Sequence, residues 1–159
     1  MDFERLLGTL SDAGVEYILV GGFAATLHGS ARVTFDLDVV YARRTENIAR
    51  LAAALAPLEP YLRGAPPGLP FRWDAETIRR GLNFTLTTNL GPLDVFGEIS
   101  GGGTYESLSA DAETLLLFGR EVRVLSLVRL IAAKRAAGRP KDLEVIAELE
   151  ALLDEPGEA

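Results

Sequence analysis

The stretch LVGGFAATLHGSARVTFDLDVVY (residues 19–41) joins two apolar segments through a glycine pair and puts two carboxylates inside the second. Residues 16–20, EYILV, read as a short buried strand that runs straight into Gly21-Gly22. FAATLHG then reads as a short helix, and residues 32–41 as a strand carrying Asp36 and Asp38. Strands are normally poor in Asp. In extended chain, successive side chains point to opposite faces, so Val33, Phe35, Leu37 and Val39 share one face and Arg32, Thr34, Asp36 and Asp38 the other. The two carboxylates then stand roughly 6–7 Å apart at Cα. They repel unless a cation lies between them.

A half-exposed strand with its polar face in water shows the same alternation, so other features have to decide. A later strand, PLDVFGEI (92–99), places Asp94 in an apolar setting, with Glu98 on the same face as a spare. Three strand carboxylates, two from one strand and one from its neighbour, make a site for two hard cations, the arrangement that clamps both oxygens of a phosphoryl displacement. Gly21 and Gly22 fit this picture. Residues without Cβ let a phosphate approach the backbone, and the helix that follows offers free N–H donors. A glycine pair alone is equally well a tight strand-to-helix turn. Neither the phosphate-loop pattern nor the dinucleotide Gly-x-Gly-x-x-Gly pattern occurs.

Composition narrows the chemistry. The 159 residues contain no cysteine and a single histidine, His28. Disulfides, thiolate nucleophiles, thiolate zinc sites and multi-histidine metal sites are excluded, so a metal here is held by oxygen: Mg²⁺, Mn²⁺ or Ca²⁺. With 16 basic and 23 acidic residues the formal net charge is −7, which argues against broad electrostatic binding to nucleic acid. Local basic patches are expected from Arg43 and Arg44, and from Lys134, Arg135, Arg139 and Lys141. No apolar run reaches the ~18 residues that span a bilayer. The N-terminal MDFERLLGTL lacks the order of a signal peptide, so the expected location is cytoplasmic with no membrane partner.

Working outward, residues 2–13 read as an amphipathic helix capped by Asp2, with Phe3, Leu6, Leu7 and Leu10 on one face. Thr45 caps a helix over ENIARLAAAL. The proline-rich stretch 57–72 reads as a loop, which Trp73 anchors to the core. A short helix from Asp74 follows. Strands near 82–88 and 92–99 form a hairpin across NLGP. SGGGT reads as a flexible break, and AETLLLFGREVRVLS as two strands around a Phe-Gly-Arg turn. Two helices close the chain, Ser126–Ala137 and one with Pro140 in its first turn. The expected class is α+β: a small mixed sheet flanked by helices, with a C-terminal helical pair. The expected organisation is one domain over 1–153, with its core about 1–125 and the helical pair over 126–153, and a frayed tail at 154–159.

The string GGFAATLHGSARVTFDLDVV resembles the signature of the DNA polymerase β-like nucleotidyltransferase superfamily: an apolar residue, a glycine pair, a spacer, then Asp-apolar-Asp-apolar. It is similar in particular to the AbiEii-type and related minimal nucleotidyltransferases, some of them toxins of toxin–antitoxin pairs. The ending LIAAKRAAGRPKDLEVIAEL is similar to that group's Lys and Arg-x-Lys-Asp tail. The resemblance implies the nucleotidyltransferase fold, two Mg²⁺ ions (or Mn²⁺) and a nucleoside triphosphate, ATP among them. It implies that Gly21 and Gly22 contact phosphates, that Asp36 and Asp38 bind both metals, and that Asp94 is the third carboxylate. Arg32 touches the triphosphate or orders the acids. The acceptor is an RNA 3′ end, a protein or a small molecule, and a cognate antitoxin is an implied partner. The alternative is a non-catalytic regulatory module of the same fold.

The last two helices raise a separate question. Leu127, Leu130, Ile131 and Lys134 fall on one face, and Asp142 shares a face with Val145, Ile146 and Leu149. Both charges point inward and need partners. Lys134 and Asp142 pair with each other, or Lys134 reaches a triphosphate, or Asp142 simply suits a helix N-terminus. The resemblance favours Lys134 as a phosphate ligand with Asp142 positioning it. His28 reads as a satisfied or solvent-facing helix-end histidine.

Overall fold

The computed structural model describes residues 1–155. Helix α1 (Phe3–Asp12) starts at Asp2, whose carboxylate accepts from Arg5 N at 3.0 Å. Its Leu6, Leu7 and Leu10 are buried, and Phe3 stacks on Phe23 at 4.3 Å. Strand β1 (Tyr17–Val20) is buried throughout and runs directly into α2 (Gly21–Leu27), so the glycine pair is the first turn of the helix and not a turn ahead of it. There follow β2 (Leu37–Tyr41), α3 (Thr45–Leu55), β3 (Tyr61–Leu62), α4 (Ala75–Arg80), β4 (Asn83–Thr88) and β5 (Gly91–Phe96). A two-stranded ribbon of β6 (Glu98–Ile99) and β7 (Gly103–Thr104) leads through α5 (Tyr105–Leu108) to the hairpin β8 (Ala112–Leu117) and β9 (Arg120–Leu125). Helices α6 (Leu127–Ala137) and α7 (Pro140–Leu153) finish the chain.

Seven strands make one mixed sheet in the order β3-β4-β5-β2-β1-β9-β8. The pairs β2–β5 and β1–β9 are parallel and the others antiparallel. The expected α+β architecture, a mixed sheet flanked by helices, is the one observed. The main core packs α1, α3 and α4 with the sheet through residues such as Leu10, Leu51, Ile78, Leu86 and Val95. A second, smaller cluster of Ala25, Ile131, Ile146 and Leu149 docks the C-terminal pair on α2.

Three local expectations are corrected. The strand expected over 32–41 is only Leu37–Tyr41, and Val33 and Phe35 are 77% and 75% exposed instead of facing the core. Residues before Asp36 have no ladder to join. On one side β1 ends at Val20, opposite Asp38, and continues as helix; on the other, β5 offers Pro92, which has no N–H. The stretch 57–72 is not all loop, because Tyr61–Leu62 pairs with β4 at the sheet edge. Residues 100–102 are the turn of the β6–β7 ribbon, and Thr104 caps α5 in a reciprocal box with Ser107. Trp73 packs edge-on against Phe84 at 5.7 Å, which ties the proline-rich segment to the sheet. Of the tail expected over 154–159, Asp154 closes α7, while 156–159 lie outside the described residues.

One buried polar residue binds these elements together. Asn47, in the first turn of α3, is 1% exposed. Its Oδ1 accepts from Glu16 N at 2.7 Å, and its Nδ2 donates to Glu16 O at 3.0 Å and Ala42 O at 2.7 Å. The amide thus clamps the start of β1 to the end of β2 and satisfies three backbone groups. Asn47→Ala strands Glu16 N and Ala42 O, while Glu16 O keeps its bond from Ala42 N at 3.1 Å, so it should cost roughly 2–3 kcal/mol. A urea midpoint shifted by less than the equivalent of about 1 kcal/mol, against that scale, would contradict this role.

Candidate active site

The register of β2 assembles the site. Asp38 lies opposite Val20 of antiparallel β1 and beside Asp94 of parallel β5. Asp36 sits just before β2, at the point where the chain enters the sheet. One carboxylate oxygen from each of Asp36, Asp38 and Asp94 lies within 4.8 Å of the other two. Glu98, the spare, lies on the β6–β7 ribbon outside this group.

The glycine pair is explained by the same pairing. Gly21 follows Val20 and adopts φ +70°, a left-handed conformation that costs side-chain-bearing residues about 1–2 kcal/mol. A Cβ there would lie 2.8 Å from Asp38 Cγ. Gly21 therefore makes room for the carboxylate. Gly22 makes room for Thr34, whose Oγ1 would be 2.9 Å from an added Cβ. On its Cβ side it faces Thr34.

The electrostatics are costly without a cation. Burial first, then the Asp36 and Asp94 charges, push the Asp38 carboxyl up to about 8. Burial also raises Asp94, against the opposing hydrogen bond from Arg63. Among the described residues, Asp38 Oδ1 is buried with no hydrogen-bond partner. An orphaned oxygen within an all-carboxylate donor set fits a hard divalent cation, which takes oxygen ligands.

A cavity of about 380 Å³ opens beside the cluster. Gly21 and Asp38 form one wall, Asn83 and Phe96 another, and Lys134 and Arg139 of the C-terminal pair a third. Asp142 is 1% exposed. It accepts from Arg139 Nε at 2.8 Å, from Arg139 Nη2 at 3.2 Å and from Arg139 N at 3.1 Å, and lies 3.6 Å from Lys134 Nζ. The sequence alternatives for Asp142 are thus combined: it closes the first turn of α7 and partners Lys134. The Arg139 guanidinium beside it holds its carboxyl below the usual range. Two cations share one buried anion, leaving a net positive wall on the cavity.

Other expected residues lie elsewhere. Arg32 does not order the acids: its guanidinium makes a two-point contact with Glu148, at 2.6 and 2.9 Å, and reaches Glu144 at 3.7 Å. The basic patches are partly paired from within. Arg44 pairs with Glu16, Arg135 pairs with Glu150, and Arg43 donates to Tyr41 Oη and to the carbonyls of Ile78 and Arg79. His28 Nε2 meets Leu125 O at 2.8 Å, a structural bond. Sequence reasoning missed Arg63, which donates to Asp94 Oδ1 at 2.5 Å, and the part Arg139 and Asn83 play in the cavity wall. Arg139 stood in the quoted tail; Arg63 had no signal beyond three extended residues between Pro60 and Gly64.

No family model matches the chain, and no curated protein matches it in sequence. Solved structures do match in fold. The lincosamide antibiotic adenylyltransferase LnuA, solved with lincomycin, aligns with TM-score 0.61 and 16% identity over 93% of this chain and 94% of that one. An antigenic nucleotidyltransferase-like protein from Paracoccidioides brasiliensis gives 0.58 and 19%, over 97% and 75%. ANT(2″)-Ia in complex with adenylyl-2″-tobramycin gives 0.55 and 14%, over 93% and 90%. The chain has the nucleotidyltransferase fold.

Two outcomes follow from the geometry. Gly21→Ala should lose at least about 1–2 kcal/mol from backbone strain alone, with further loss as Asp38 is displaced. A chemical-denaturation midpoint equal to wild type would show that the close approach is not needed. Without divalent cation, the raised Asp38 means that the folded state keeps a proton which the unfolded chain loses above about pH 4. Stability should therefore fall as pH rises from about 4 to about 8. Asp38→Asn should flatten that slope, as read from midpoints in EDTA across the range. A rising wild-type slope would contradict the shift.

Proposed function

We propose that this protein is a divalent-cation-dependent nucleotidyltransferase that moves a nucleoside monophosphate from a nucleoside triphosphate to the hydroxyl of a compact acceptor. The observation that carries the reading is the convergence of Asp36, Asp38 and Asp94, with Asp38 lining a cavity that Lys134 and Arg139 also line. Hydroxyl oxygen attacks the α-phosphorus, the bond from that phosphorus to the β-phosphate oxygen breaks, and pyrophosphate leaves. Asp94 orients the acceptor hydroxyl and takes its proton. Lys134 and Arg139 bind the outgoing phosphates by charge-assisted hydrogen bonds. Asp142 holds both cations toward the cavity. Asp36 and Asp38, with Asp94, would hold Mg²⁺ or Mn²⁺, two ions in this reading, whose chemistry is to neutralise charge on the reacting oxygens.

A compact acceptor is favoured over RNA because two of the arginines that would meet a phosphate backbone, Arg44 and Arg135, are paired with this chain's own acids. The fold is shared with enzymes whose structures hold antibiotics or an adenylylated antibiotic, which supports a small-molecule hydroxyl. The toxin–antitoxin assignment rests on the motif string, and its test is the class of molecule that accepts the label.

Incubation with each α-labelled triphosphate, Mg²⁺ and separated pools of cellular small molecules, RNA and protein tests the reading. Label should pass from the α-position, and not from the γ-position, to a small molecule, with a rate little affected by salt. Asp38→Asn should lower transfer by about a hundredfold or more, the scale for one key electrostatic group. Labelled RNA, at a rate falling steeply with salt, would restore the RNA reading. No transfer to any pool, with nucleotide binding intact, would favour the non-catalytic module. Lys134→Ala should weaken triphosphate binding about tenfold, a loss within the range of one charge-assisted contact. Unchanged affinity by calorimetry would leave Lys134 a purely structural partner of Asp142.

A further inference from the structure

The side chain seated most directly on the acid cluster has no part in the reaction proposed above. Arg63 follows the edge strand β3 and reaches across β4 to β5. Its N donates to Thr85 O at 2.9 Å. One guanidinium nitrogen donates to Leu86 O at 2.7 Å and to Asp94 Oδ1 at 2.5 Å, and the other terminal nitrogen lies 3.9 Å from Asp36 Oδ2. The Arg63 side chain is 29% exposed and that of Asp94 14%.

The geometry differs from that of the two-point arginine–carboxylate pairs and, unlike the one-point pairs, brings the guanidinium to two acids. Arg32 with Glu148, and Arg120 with Asp12, each make two parallel bonds to one carboxylate, the arrangement that suits a planar fork. Arg63 instead touches one oxygen of Asp94 and approaches Asp36. Among the described residues its Nε is buried without an acceptor, while Asp38 Oδ1 is buried without a donor. A fork serving one acid would satisfy more of its donors. A cation lying among several acids makes this pattern.

We propose that Arg63 is a positioning residue that competes with the divalent cation for Asp94. In the metal-free protein its guanidinium supplies the positive charge that lets Asp94 and Asp36 face each other. A cation entering the cluster takes Asp94 from it, because the guanidinium and a dication repel at this range and Asp94 Oδ1 serves only one of them well. Arg63 thus lowers the cluster's affinity for cations while keeping the empty site folded. The inference rests on the cation-dependent reading of the acids.

Mn²⁺ titration followed by the electron paramagnetic resonance of free ion, on wild type, Arg63→Gln and Arg63→Lys, tests it without recourse to activity. Arg63→Gln should bind Mn²⁺ about tenfold more tightly, the scale of neighbouring-group effects on metal affinity, and melt lower in EDTA. Arg63→Lys should stay near wild type. Equal or weaker binding by Arg63→Gln, with wild type still binding, overturns the competition alone. Binding by neither protein overturns it together with the cation-dependent reading. Should Arg63→Gln not fold, the guanidinium resonances of ¹⁵N-arginine-labelled wild type decide, assigned with Arg63→Lys. The Arg63 signal should move on addition of Mg²⁺, and an unchanged signal at saturating ion overturns the proposal.

Discussion

The pairing of β2 with β1 on one side and β5 on the other is the constraint from which the site follows. Antiparallel pairing sets Val20 opposite Asp38 and so brings the next residue, Gly21, against the Asp38 side chain. Parallel pairing sets Asp94 level with Asp38. A slip of one residue on either side would turn the acids to the opposite face. The apolar alternation of Leu37, Val39 and their buried neighbours prevents that slip, because it would bring Asp38 into the core in their place.

That register concentrates like charge where solvent is scarce. Burial and mutual repulsion raise Asp38, and an oxygen is left with no donor. The chain keeps an arrangement that weakens the metal-free fold, as functional sites often do. Stability comes from elsewhere: the Asn47 clamp, the leucine-rich faces of α1 and α3, and the apolar contact of the C-terminal pair with α2. The same docking brings Lys134 and Arg139 to the cavity, and buried Asp142 holds them there. Fold and site therefore share one set of contacts on the α2 side.

Much of this was legible in the sequence, for identifiable reasons. Period-two alternation and the Asp-x-Asp spacing pointed to a carboxylate cluster, and helical spacing turned Lys134 and Asp142 inward. What alternation cannot report is whether a partner strand exists. Thr34 and Arg32 lie in the same pattern as Asp36 and Asp38, yet the ladder stops at Leu37 because Pro92 and the start of α2 remove the partners. Arg63 was illegible because its role depends on a two-residue edge strand laid across β4. Nor does sequence show that Arg44 and Arg135 of the basic patches face Glu16 and Glu150. Gly21 was read as space for a phosphate, and the structure adds a demand that sequence does not show, space for Asp38.

The claim that these acids form a cation site, and not a polar face, is tested most directly by thermal melting of wild type and Asp38→Asn, each in EDTA and in Mg²⁺. Wild type should gain stability with Mg²⁺, roughly 2.7 kcal/mol at a hundredfold excess over Kd. Asp38→Asn puts a neutral group of nearly the same shape where a carboxyl repels its neighbours once ionised, so in EDTA it should melt at the wild-type temperature or above it. In Mg²⁺ it should gain much less. A structural carboxylate gives the reverse: if Asp38→Asn melts lower than wild type in both conditions and wild type is indifferent to Mg²⁺, the account is contradicted.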